Sequence, residues 1–501
     1  MYEGLTTKVK WMGGLSDSFQ VKQGVRQGGV LSTHLYKLFV QDLLLELEHN
    51  AIGLHLGNIY VGTPTCADDV AFLESDRDKL QIMLNIISRY AKQHHYNIHP
   101  TKTKILDSEK SQAKYSWFLD GNEITASDQA THLGLIRSGN KEGEINVNER
   151  IKIARRTKYA LLGTGMHGSN GIDAHTSYKI YKTYVLPRLL YGLEVIFLNK
   201  SNIQTLELFH RKSLRTIQSL PQRTANAAVY SLIGALPLEA ELHLRQLSFL
   251  YSVLTCENKK MAEIIKRQMS VNYNNTESFF YNIRLILQKY KLPPVHLIQQ
   301  KFPTKERWKV VIKQQVFNLW KKLLTEELSL KSSLNYMCKE SIKIGQCHPV
   351  WNLQIKRRHD VRKSIIKVRI ITGTFILQCH KNKFTPFQVS ALCPLCETDM
   401  ENIQHFLLKC PALASIQEKY IMEIKRLIRN MSKINTWERT FNNADNITKL
   451  IIDCQNFAAI LCDETEIQRM ENITKDMCYE LYMERLRILE MIDTSASSSS
   501  K

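Results

Sequence analysis

Four residues, Cys393, Cys396, His405 and Cys410, follow the pattern Cys-x2-Cys-x8-His-x4-Cys. No other short pattern in the chain restricts local backbone as tightly, because all four would have to meet at one ion. Two thiols three positions apart can turn onto that ion, and a histidine and a cysteine five positions apart can come from one helix turn and its end. The set therefore suits tetrahedral Zn²⁺. Three buried free thiols and a helix histidine are the competing reading, and the four-ligand spacing favours zinc over it. The 11 cysteines are odd in number and scattered along 501 residues, and MYEGLTTKVKWMGG lacks the apolar stretch of a secretory leader. A disulfide framework is therefore not expected, and the protein reads as intracellular, nuclear or cytoplasmic, and not secreted.

The charge points to a polyanion. There are 68 Lys+Arg against 48 Asp+Glu, a formal net charge of +20, and basic side chains that neutralise phosphates drive association by releasing counterions. Residues 411–501 hold 12 Lys/Arg and 14 Asp/Glu, so the excess lies before residue 411. It is dense in WNLQIKRRHDVRKSIIKVR, residues 351–369, with seven Lys/Arg and one Asp. A solvated helix face is the ordinary meaning of such a run. Beside a zinc pattern, phosphate contact by Lys356, Arg357, Arg358, Arg362 and Lys363 is favoured, with Trp351 available to stack on a base. Composition excludes a disordered chain, at 44% hydrophobic and 23% charged. No apolar run approaches the ~20 residues that span a bilayer.

The fold class reads as α+β. From Met1 to about Gly134, β-rich pieces such as Ser18–Lys22 and Asn58–Val61 alternate with two amphipathic helices, one from His34 and one after the candidate cap Asp76. From about Asn148 helical periodicity dominates. Polar and Pro-rich sequence between about 256 and 304 suggests a boundary, and the Met- and aromatic-rich MCYELYMERLRILEMI reads as a helix that packs as core or against another helix. At ~100–200 residues per domain, about three domains are expected.

Within the first stretch, Thr65-Cys66-Ala67-Asp68-Asp69-Val70-Ala71-Phe72-Leu73 sets two adjacent carboxylates between apolar segments, as in a hairpin turn. Their repulsion is relieved by a cation, and such a pair can hold Mg²⁺ shared with substrate phosphates. An acidic surface turn is the alternative. Upstream lies Gly24-Val25-Arg26-Gln27-Gly28-Gly29-Val30-Leu31-Ser32, whose glycines admit close approach of another chain or a nucleotide. Downstream lie Pro100-Thr101-Lys102-Thr103-Lys104 and His132-Leu133-Gly134-Leu135.

These four motifs in this order resemble the reverse transcriptase of non-LTR (LINE-type) retrotransposons, and KTYVLPRLLYGLEVIF resembles that family's thumb. The resemblance implies an RNA-directed DNA polymerase acting on an RNA template and a DNA target. It makes Asp68 and Asp69 the catalytic magnesium ligands in a two-metal site. Gly24, Arg26, Gln27, Gly28 and Gly29 would line template and nucleotide, with Lys102 near the triphosphate. The zinc pattern resembles the Cys-Cys-His-Cys element that follows the polymerase in this family. The implied layout is a partial palm at 1–135, a helical thumb at 136–255, a helical connector at 256–350, a basic segment with the zinc knuckle at 351–412, and C-terminal helices at 413–501. The family's earlier palm aspartate has no counterpart, since Glu3 and Asp17 sit in no similar strand context, and the fingers are missing. The expectation is thus a truncated polymerase that is inactive alone, or a non-catalytic zinc-dependent nucleic-acid binder derived from one. Cys66, Thr33, His99 and His132 depart from the family's usual residues.

Overall fold

The computed structural model describes residues 4–22, 24, 29–67, 69–99, 101–107, 115–168, 171–352, 357–431 and 436–498. They fall into two units, Met1–Ile145 with Cys256–Val271, and Asn146–Thr255 with Asn272–Lys501.

In the first unit the two amphipathic patterns become the helices Ser32–His49 and Arg77–Gln93. The second starts on its cap: the Asp76 carboxylate accepts the backbone N–H groups of Asp78 and Lys79, each at 2.9 Å, satisfying donors that a helix start leaves without partners. Leu43 and Leu47 of one helix and Met83, Leu84 and Ile87 of the other share a core with Trp117 and Leu119. The last two come from a hairpin pairing Ser116–Leu119 with Asn122–Thr125. Trp117 donates its indole N–H to the Arg77 carbonyl at 3.2 Å, so the buried ring keeps its hydrogen bond. The described strands are short and make six two-stranded sheets, among them the expected pieces at Phe19–Gln20 and Ile59–Tyr60. Polar sequence after residue 256 is not loose connection here. It forms the helix Lys259–Val271, where Lys260 pairs with Glu48 and Arg267 donates to Asn58 at 2.7 Å.

The second unit is helical. Its main core takes Val147, Ile151 and Ala154 from the helix Glu142–Leu162, and Leu206 and Leu214 from the helix Lys200–Ile217. Further along the chain, the long helix Glu464–Ser498 packs against the helices Arg358–Ile371 and Ala414–Met431. Its Met477, Cys478 and Leu481 are buried, which bears out the packing role read from the Met- and aromatic-rich sequence. Polar groups are drawn into this core in pairs. Lys367 and Glu471, both fully buried, lie 2.7 Å apart, and the Cys454 thiol donates to the same carboxylate at 3.1 Å. His210 Nε2 lies 3.1 Å from the Leu236 carbonyl, which can only accept, so Nε2 carries the proton and Nδ1 accepts from the Tyr181 hydroxyl at 2.8 Å.

Two outcomes follow from these buried groups. Removing one member of a buried pair strands the other charge, so Lys367→Met costs about 3–5 kcal/mol, whereas Lys367→Met with Glu471→Leu recovers most of the loss. Chemical denaturation of the single and double variants checks this; equal losses would contradict it. Burial pushes His210 down to about 4 in the folded chain, against about 6.5 unfolded. Its stabilising contribution is therefore complete above pH about 6.5 and is lost as pH falls toward 4, by up to about 3 kcal/mol. His210→Gln should flatten the fall in thermal midpoint across that window, and an unchanged slope would contradict the assignment.

Candidate metal centre and nucleic-acid interface

The acidic motif folds as the hairpin expected of it. Thr65–Cys66 pairs antiparallel with Asp69–Val70, Cys66 opposite Asp69, and Ala67 takes the left-handed conformation at the turn, φ 53°. Backbone bonds carry the pairing onward: Ala71 N–H donates to the Pro64 carbonyl at 3.0 Å and Leu73 N–H to Gly62 at 2.8 Å. A further segment is tied to the same strand, Leu54 N–H donating to Leu73 at 2.7 Å. The Asp69 carboxylate is thus an exposed oxygen donor on a braced hairpin, a hard ligand of the kind Mg²⁺ takes. Asp68 lies outside the described residues. At the hairpin's base, Glu74 accepts the N–H of Gly53 at 2.8 Å, Ser75 at 2.7 Å and Asp76 at 3.3 Å. Burial works to raise this carboxyl, but these donors outweigh it and hold it below the usual carboxylate range. Sequence reading passed over Glu74.

Of the residues expected to meet template and nucleotide, Gly24, Gly29 and Lys102 are described. Gly24 has φ +99°, a conformation glycine adopts without a Cβ clash. The Gly29 carbonyl accepts the Ser32 N–H at 3.2 Å at the mouth of the first helix. Lys102 is exposed, its N–H bonded to the His99 carbonyl at 3.2 Å. Arg26, Gln27 and Gly28 lie outside the described residues. The His132-Leu133-Gly134-Leu135 motif is a hairpin turn with positive φ at both Leu133 and Gly134, the geometry that matches strand twist.

The four residues of the Cys/His pattern converge. Their ligand atoms all lie within 4.8 Å of one another. A tetrahedral ion with bonds of about 2.3 Å to sulfur sets sulfurs about 3.8 Å apart, and slightly less for a sulfur and an imidazole nitrogen. Here Cys393 Sγ and Cys410 Sγ are 3.8 Å apart, and Cys396 Sγ and His405 Nε2 3.4 Å apart. The sulfur spacing is far from the ~2.05 Å of a disulfide, and these residues could hold a zinc ion. Local backbone explains the convergence. Leu392 bridges to Met400, Cys393 N–H donates to the Asp399 carbonyl at 2.8 Å, and Glu397 turns the loop at φ 55°. His405 opens the π-helical turn His405–Lys409 and Cys410 caps it, as the spacing suggested.

Burial pushes the Cys393 thiol up and the Cys410 thiol to about 12. Cys396 differs: burial acts upward on it as well, but the Thr398 hydroxyl, donating at 3.1 Å, and nearby backbone N–H groups bring it down to about 6. Thr398 was not singled out from sequence. Nor were Asn402, which accepts the His405 N–H at 2.9 Å, and Glu401, which is held by both arms of Arg485 at 2.7 and 2.9 Å.

The basic run divides. Arg357, Arg358 and Arg362 are exposed on the helix Arg358–Ile371 or at its start. Lys363 pairs with Asp476 at 2.7 Å, Lys367 is the buried partner of Glu471, and Lys356 lies outside the described residues. The expectation for Trp351 is overturned: it is 1% exposed, folded inward by the short turn Pro349–Trp351, and no base can stack on it. Among the described residues, no helix is long and apolar enough to cross a membrane.

Residues 4–136 match the family profile described as reverse transcriptase (RNA-dependent DNA polymerase), a span that includes all four ordered motifs. The chain is 24% identical over 210 residues to the RNA-directed DNA polymerase from mobile element jockey of Drosophila funebris, covering 40% of this chain and 22% of that protein. It is 22% identical over 301 residues to the retrovirus-related Pol polyprotein from type-1 retrotransposable element R2 of Popillia japonica, covering 55% and 46% respectively. The chain spans less than half the length of either relative. It carries a reverse transcriptase domain and has homologues among non-LTR retrotransposon polymerases, as its motifs implied.

A zinc ion held by these four residues would tie the loop of Cys393 and Cys396 to the turn of His405 and Cys410, so chelator treatment under reducing conditions should lower the thermal midpoint of the chain. Cys396→Ser should lower the midpoint and remove its sensitivity to chelator. A midpoint indifferent to chelator in the unsubstituted chain would contradict a bound ion.

Proposed function

We propose that the chain performs RNA-directed DNA synthesis, copying an RNA template at a DNA target. The observation that carries this reading is the braced hairpin that presents Asp69, next in sequence to Asp68, within the reverse transcriptase span. Asp68 and Asp69 would hold Mg²⁺, which when bound supplies the Lewis acid for attack of a primer 3′-hydroxyl and departure of pyrophosphate. The chain's own contribution is placement. The hairpin places Asp69, the sequence from Gly24 to Gly29 would let template and nucleotide approach the backbone, and Lys102 would offset charge on the triphosphate. In this reading residues up to about 135 act as palm and residues 136–255 as thumb. Residues 256–350 connect them to a zinc knuckle and basic segment at 351–412 that grips nucleic acid, with the helices of 413–501 as support.

A second reading has its own support. The Cys/His cluster and the basic helix lie in a different unit from the hairpin that bears Asp69, so zinc-dependent nucleic-acid binding would not require polymerisation. Primer extension on an RNA template with Mg²⁺ or Mn²⁺ separates the two. Polymerase function predicts deoxynucleotide incorporation that Asp68→Ala and Asp69→Ala each lower by ~10²-fold or more, the scale of losing one strong electrostatic contact. Primer–template binding without incorporation would favour the non-catalytic binder. Incorporation untouched by either substitution would contradict the assigned site.

A further inference from the structure

We propose that the second unit contains a pocket for one phosphate and one unstacked base of a single nucleic-acid strand, with Arg223, Arg369 and Tyr482 as the residues that meet them. Choosing a strand over a free nucleotide rests on the nucleic-acid reading above; the chemistry of the pocket does not.

The cavity has a volume of about 580 Å³, within the range of small-ligand sites. Three arginines, Arg223, Arg369 and Arg485, line it, and no carboxylate does. Arg485 is neutralised by its two bonds to Glu401. The other two are not: among the described residues neither Arg223 nor Arg369 has a carboxylate within ion-pair distance. Arg223 donates to the Thr374 carbonyl at 3.0 Å, and Arg369 to the Ser219 carbonyl at 3.4 and 3.2 Å. Each guanidinium has five N–H donors, so most remain for an anion, and the planar fork suits a phosphate. The surrounding field is positive. After burial, Lys383 and Arg223 are the leading causes that push the neighbouring His380 below its ordinary value.

The walls are fixed in advance. Thr374 and Phe375 both donate their N–H to the Arg369 carbonyl, at 2.8 and 2.9 Å, closing the end of the basic helix. Gly373 turns there with φ +61°, where a Cβ would stand 2.6 Å from the Ser333 carbonyl oxygen, so the turn admits only glycine. Phe375, nearly buried, sits edge-on to half-buried Tyr482 at 5.9 Å, which leaves Tyr482 as the ring that a base can reach. A base on an aromatic ring with its phosphate on arginine is the usual grip on single strands. The charge excess lies before residue 411, yet the long helix after it completes this pocket with Tyr482 and Arg485.

The pocket is also keyed to the metal centre. Phe375 packs 5.4 Å from Phe406, which directly follows His405, and Arg485 is held by Glu401 from the loop between Cys396 and His405. Loss of the metal should therefore weaken the strand's hold as well as the local fold.

Anisotropy titration of a short fluorescent single-stranded oligonucleotide with the metal-loaded full chain tests this. Arg223→Gln should weaken binding roughly tenfold and lower the slope of log affinity against log salt by about 1. Arg426→Gln, the same charge change at an exposed residue outside the lining, should do neither. A 5-bromouridine strand should crosslink to the peptide containing Tyr482, a readout independent of any substitution. Equal effects of Arg223→Gln and Arg426→Gln, or crosslinks confined to other peptides, would overturn the pocket while leaving the nucleic-acid reading intact. No binding by the unsubstituted chain would overturn both. Uridine monophosphate displacing the strand at lower concentration than the strand itself binds would assign the pocket to a free nucleotide and so overturn the strand.

Discussion

Four ligand atoms gathered within 4.8 Å organise one end of the second unit. The loop bearing Cys393 and Cys396 has little apolar sequence with which to hold itself, and the turn bearing His405 and Cys410 is one π-helical turn long. In the structure they are held by backbone bonds such as Cys393 N–H to the Asp399 carbonyl and by the burial of Cys393, Phe406 and Cys410 in the core. Phe406, next to His405, is buried in the core, and Glu401, between the ligands in sequence, meets Arg485 of the long C-terminal helix. From that junction the packing extends to the basic helix through Lys367 and Glu471. A metal bound there would stabilise far more than the loop it touches.

The positive charge of the chain therefore has two destinations. Part of it is structural: Lys367 and Arg485 are inside, each matched to a carboxylate, because a buried charge without a partner costs several kcal/mol. In the arginine-lined cavity, by contrast, no carboxylate among the described residues lies within ion-pair distance of Arg223 or Arg369. That division makes a net charge of +20 informative.

Features governed by near neighbours were legible in sequence. The Asp76 cap, the Asp-Asp hairpin and the histidine-to-cysteine turn each depend on residues two to five positions apart, and each folds as read. Features governed by distant partners were not. Arg485 meets Glu401 across 84 positions, and nothing local to either residue announces the other. Trp351 shows the reverse error: its place beside a basic run suggested an exposed ring, but the turn from Pro349 to Trp351 points it into the core. Lys367 entered the reading only as one of seven Lys/Arg in the run, and its burial beside Ser364, Ile365 and Val368 follows from helix period, which a count ignores. The hairpin's dependence on Glu74 was likewise invisible, since its N–H donors include Gly53, 21 positions away.

The most direct test is X-ray absorption at the zinc edge of the chain purified under reducing conditions. One zinc per chain is expected, with three sulfurs at about 2.3 Å and one nitrogen at about 2.0–2.1 Å. A shell of oxygen and nitrogen alone, or zinc that is absent from freshly purified chain and does not bind when supplied, would contradict a zinc site at Cys393, Cys396, His405 and Cys410.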